Sequence, residues 1–129
     1  MDFVLRPRLG HFEPNADVVV DEERGQVVVA IEVAGADPQS LHVSVDERYL
    51  LISGRRSAAN RLHRGSFVQK EISYGDFAKR IALPVAVDYG EVVASYTDGV
   101  LVIALPIAAT AYLPTTRTEI RLIVKRTHS

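Results

Sequence analysis

Ala94-Ser95-Tyr96-Thr97-Asp98-Gly99-Val100-Leu101-Val102-Ile103-Ala104-Leu105-Pro106 reads as two strands joined by a two-residue turn. Asp98-Gly99 accepts positive φ at both positions, which is what a type I′ hairpin requires. With a strand's period of two, Val92, Ala94 and Tyr96 share one face, with Val93 and Ser95 on the other. Likewise Leu101, Ile103 and Leu105 oppose Val100, Val102 and Ala104. Pro106 closes the hairpin, because proline has no N–H to give a ladder. If the first set of each strand is core, Val93 and Val102 face outward. There they either form part of a groove or touch the other sheet or a loop.

Strand signals recur on the N-terminal side of this hairpin. Val18-Val19-Val20 and Val27–Val33 are rich in β-branched residues, which suit a pleated surface. Asp21–Gly25 between them is a polar hairpin turn. Leu41–Asp46 alternates apolar and polar, and Tyr49–Ser53 follows after a tight turn. Ser57–Gly65 is an exposed loop, Ser66–Ser73 a short strand, and Phe77–Leu83 another strand that Pro84 ends. On the C-terminal side, Ile107–Pro114 is apolar and ambiguous. Thr115–Glu119 is a polar spacer, and Ile120–Val124 is again β-prone. Residues 1–15 hold Pro7, Gly10 and Pro14, which break any long helix, so they form a short irregular arm. About eight short strands, with turn signals every ten or so residues and no amphipathic helix, predict one all-β antiparallel sandwich.

The 129 residues suffice for one domain with a real core. Fifteen basic residues against sixteen acidic leave no global field to gather nucleic acid or acidic lipid. The chain has no cysteine, which removes disulfides, thiolate metal sites and thiol nucleophiles. No apolar run approaches the ~18–20 residues of a membrane helix. Met1–Arg6 lacks the basic-then-apolar pattern of an export signal, so a cytoplasmic location is expected.

The order of the sequence words carries a family resemblance. Val33–Pro38, Leu41–Val45 and Leu50-Leu51-Ile52-Ser53-Gly54-Arg55-Arg56 resemble the first half of the bacterial Hsp20 domain. Tyr74-Gly75-Asp76-Phe77, Ile81-Ala82-Leu83-Pro84, Val87-Asp88 and the hairpin above resemble its second half. The likeness covers roughly residues 16–106. It implies the α-crystallin sandwich, related to the immunoglobulin fold, with residues 1–15 as an N-terminal arm and 107–129 as a C-terminal extension.

The resemblance further implies a dimer built by strand exchange. Phe67, Val68 and Gln69, in the loop after Arg56, would meet Val18, Val19 and Val20 of the other subunit, with Arg80 near the dimer contact. It also implies a tail whose two apolar residues, one apart, plug a groove on a neighbouring dimer. Ile120-Arg121-Leu122 fits this pattern, and Leu122-Ile123-Val124 fits nearly as well. The groove would run along Leu41–Asp46 and Glu91–Tyr96, lined by Leu41, Val43, Val45, Val93 and Val102. The arm residues Phe3, Leu5, Leu9 and Phe12 would contact clients. Two features depart from the family: the arm is short, and Ile107–Leu113 is apolar where relatives carry charge.

Other features receive plainer readings. His11, His42, His63 and His128 lack the spacing of a metal site, so no metal and no cofactor is expected. Arg55, Arg56, Arg61 and Arg64 lack aromatic interleaving, so a solvated loop with inter-subunit ion pairs is a better reading than nucleic acid. There is no phosphate loop and no GxSxG elbow. The predicted function is therefore that of a non-enzymatic, ATP-independent chaperone, which oligomerises from dimers and holds unfolding client proteins. The alternatives are a co-chaperone-type sandwich that binds a single partner, and a small enzyme on the same scaffold.

Overall fold

In the computed structural model, residues 12–46, 48–57, 65–109 and 118–124 are described below. Among them, nine strands follow in order: β1 (Ala16–Asp21), β2 (Gln26–Glu32), β3 (His42–Asp46), β4 (Tyr49–Arg56), β5 (Gly75–Ala82), β6 (Val93–Thr97), β7 (Val100–Pro106), β8 (Thr118–Ile120) and β9 (Leu122–Val124). They form a five-stranded sheet, β1-β2-β7-β6-β9, and a four-stranded sheet, β5-β4-β3-β8. Every pairing is antiparallel except β6 with β9, which is parallel.

The hairpin at the centre of the five-stranded sheet forms as its residues dictate. Asp98 and Gly99 take φ of 55° and 81°, the positive values that a type I′ turn needs. Gly99 is constrained a second way: a Cβ there would lie 3.0 Å from both Cα and Cβ of Ala34. This close approach lets Val33 N–H donate to the Gly99 carbonyl at 2.9 Å. On the same side, the buried Tyr96 hydroxyl donates to the Val33 carbonyl at 2.8 Å. The phenol thus satisfies its polar end inside the core, where an unpaired group would cost about 1–3 kcal/mol.

Alternation places the core between the sheets. Val27, Val29 and Ile31 of β2 and Leu101, Ile103 and Leu105 of β7 are fully buried. They face Val43 and Val45 of β3, Leu50 and Ile52 of β4, and Phe77 of β5. Gly54 of β4 stands opposite Phe77 in the β4–β5 ladder. A Cβ on Gly54 would lie 2.5 Å from Phe77 Cζ and 2.8 Å from Leu41 Cδ2, so the aromatic ring fills space that the glycine leaves open.

Two segments differ from the sequence reading. Within the single chain Ser66–Ser73 forms no strand; it is an exposed segment, with Lys70 Nζ 5.8 Å from the ring centroids of Phe67 and Tyr74. A lone extended segment gains no ladder hydrogen bonds, and this one has no neighbour in either sheet. The single C-terminal segment predicted at Ile120–Val124 is two strands, β8 and β9, which lie on different sheets.

Candidate functional site: a plugged groove and an open edge

Beside β8 and β9, the sandwich has an open side bounded by β3 and β6. The tail fills it. β8 pairs with β3, setting Ile120 against Val43 and Thr118 against Val45. After Arg121 the chain crosses to the other sheet, where β9 pairs with β6, setting Leu122 against Ala94 and Val124 against Tyr96. Residues paired across a ladder point to the same face. Val43 and Ala94 point into the core, so Ile120 and Leu122 do too, and both pack against it. Ile120-Arg121-Leu122 is thus the register seated deepest, with Val124 at the rim. In this structure the tail seats in the groove of its own chain.

The residues expected to line the groove divide. Val43 and Val45 meet the tail from the core side, and Leu41 is buried near Gly54. Val93 and Val102 lie on the outer face of the five-stranded sheet, 53% and 36% exposed. They neighbour Ala94 and Leu101, which point inward, so period two turns them away from Ile120 and Leu122. Their outer face continues through Val28, Ala30 and Ala104 to Val19.

β1 is the second feature. It is the terminal strand of its sheet, and β2 is its one ladder partner among the described residues. Val18, Val19 and Val20 are 42%, 55% and 39% exposed. Their outer edge presents main-chain N–H and C=O groups in the arrangement that accepts another strand. Phe67, Val68 and Gln69 are exposed and no ladder joins them to β1 of the same chain. Gln69 donates its amide to Glu71.

The remaining predicted residues scatter. Arg80 stacks on Tyr49 of its own chain, 3.6 Å from the ring centroid. Phe3, Leu5, Leu9, His11, His63, His128, Arg61 and Arg64 lie outside the described residues. Phe12 is half-buried against the sandwich: its ring centroid lies 5.2 Å from that of Phe77, with the Arg56 guanidinium 4.2 Å above it. Sequence reasoning missed this seat, because nothing in the spacing of Phe12, Arg56 and Phe77 joins them. Among the described residues, no cluster of three potential metal ligands occurs. No helix there is long and apolar enough to cross a membrane.

A two-sheet sandwich with a tail across one opening and an exposed β-edge defines an α-crystallin-type domain. The model of the Hsp20/alpha crystallin family matches residues 17–121, and the chain belongs to that family, whose members include small heat shock proteins. It is 30% identical to heat shock protein 16 of Schizosaccharomyces pombe over 81% of this chain and 78% of that protein. It is 28% identical to small heat shock protein C4 of Rickettsia felis over 72% of this chain, and the match spans only 56% of that relative's length. A solved small heat-shock protein from Xylella fastidiosa, described as having a distinct high order structure, superposes with a TM-score of 0.61. Identity there is 33%, over 77% of this chain and 89% of that one.

Proposed function

We propose that this chain is an ATP-independent holdase that assembles from dimers and keeps partly unfolded proteins from aggregating, with no catalytic step. The observation that carries this reading is the groove between β3 and β6. It takes two apolar side chains from a three-residue plug, so it is built for reversible filling by an extended segment. Residues 16–106 would be the working domain, 1–15 an arm that meets clients and 107–129 the extension that carries the plug.

Dimerisation has its own support in β1. Its exposed edge would take up Phe67-Val68-Gln69 of the other subunit as a strand, which covers unpaired main-chain groups on both sides. The tail then links dimers. The cis contacts seen here and contacts to a neighbour's groove use the same residues, so exchange between them changes little in energy per plug. Linker reach and protein concentration set the balance. Heating shifts such an equilibrium by mass action and frees apolar surface without nucleotide. A client covered by that surface gains about 25 cal/mol per Å² removed from water.

The test is heat aggregation of a model client with and without the chain, at equal mass and without ATP. Light scattering is expected to fall strongly. Undiminished scattering would favour a module that serves one defined partner.

A further inference from the structure

β5 is the terminal strand of the four-stranded sheet, and its outer edge holds one guest. Phe12 makes an isolated parallel bridge with Phe77, and its N–H donates to the Asp76 carbonyl at 3.3 Å. The ring lies between Phe77 and the Arg56 guanidinium. Arg56 is held in place from below: Nε donates to the Ser73 carbonyl at 2.9 Å and Nη1 to the Ala34 carbonyl at 3.2 Å. One residue on, the Glu13 carboxylate lies 3.6 Å from Lys79 Nζ. The seat therefore reads an aromatic side chain, then a carboxylate, on an extended backbone parallel to β5.

We propose that this edge binds extended client segments in which an aromatic residue precedes an acidic one, and that the chain's own Phe12-Glu13 holds it closed. The proposal rests on the holdase reading. Its physical basis is that the resident guest is short. Pro14 has no N–H to give β5. The next residue is committed elsewhere, since the Asn15 carbonyl accepts from Glu32 N–H at 3.0 Å and starts β1. The arm therefore leaves β5 after a single bridge, although the strand runs on to Ala82. A client strand without that proline keeps the aromatic and acidic contacts and adds ladder bonds farther along. The resident lowers apparent affinity by the fraction of time it occupies the site.

The probe is a fluorescent peptide that copies residues 9–13 and continues Thr-Val-Thr where the chain has Pro14. Anisotropy with the full chain is expected to show weak binding, tightened about tenfold by Phe12→Ala. Adding Lys79→Glu should weaken it about tenfold. A peptide with lysine in place of its glutamate should restore binding to that variant. A thermal melt checks that Phe12→Ala folds; Phe12→Leu is the fallback, keeping bulk but losing the guanidinium–ring contact. No tightening in the folded variants, or a charge swap without rescue, overturns the proposal, and intact suppression of aggregation then leaves the holdase reading standing. A drop in assembly mass on Phe12→Ala also overturns it, because the natural guest would then be another copy's arm. Tight binding of the peptide by a chain that fails to suppress aggregation supports the seat and removes the holdase reading.

Discussion

Phe77→Ala is expected to lower the unfolding free energy by about 3–5 kcal/mol, the range for removing a fully buried phenylalanine. The upper part of that range applies here. The ring of Phe77 fills the space left by Gly54 across the ladder, and Leu41 Cδ2 borders the same space. Glycine has no side chain with which to collapse into the void, so the cavity stays open. The same substitution removes the surface against which Phe12 packs, so the N-terminal anchor of the described chain loosens with the core. Urea unfolding followed by circular dichroism measures the loss. Because Phe12 and Phe77 touch, Phe12→Ala combined with Phe77→Ala should cost less than the two single changes added. A loss under about 1 kcal/mol for Phe77→Ala would mean that the ring is not the keystone between β4 and β5.

Ile120→Gly with Leu122→Gly is expected to shift the assembly toward dimers. Both side chains are partly buried and point into the sandwich from β8 and β9. Half-burial of two such residues contributes roughly 2–3 kcal/mol per plug, by the scale for burying whole aliphatic side chains. That is roughly a 30- to 150-fold change in the equilibrium between a filled and an empty groove. The two glycines also weaken strand propensity where β8 crosses to β9. Size-exclusion chromatography with light scattering reads the outcome. An unchanged size would mean that the tail does not link subunits. Ile123→Gly is the control, since Ile123 pairs with Ser95 on the outer face and leaves the plug intact.

The sandwich was legible because its signals are local. Asp98-Gly99 fixes a turn by its φ preferences, and alternation around it marks which side chains meet the core. The groove was legible only through family likeness: Val43 and Ala94 lie far apart in sequence, and no periodicity shows that their strands border one opening. Val93 and Val102 show the limit of alternation, which gives a face but not what stands against it. The crossover loop shows another limit. Phe67–Gln69 is β-prone by composition, but a strand is a pair of segments, and its partner is not within reach of pattern reading. The seat of Phe12 was not legible for a third reason. An apolar residue in a proline-interrupted arm suggests a free side chain, whereas its seat depends on Arg56 and Phe77 converging from two strands.

On the proposed reading, copies of the chain cover the exposed β1 edge and the groove for one another. The mass of the intact protein in solution, measured by light scattering across a concentration series, tests it most directly. The expected masses are two subunits and multiples of two, with larger forms gaining as concentration rises. A single 129-residue subunit at every concentration would contradict it.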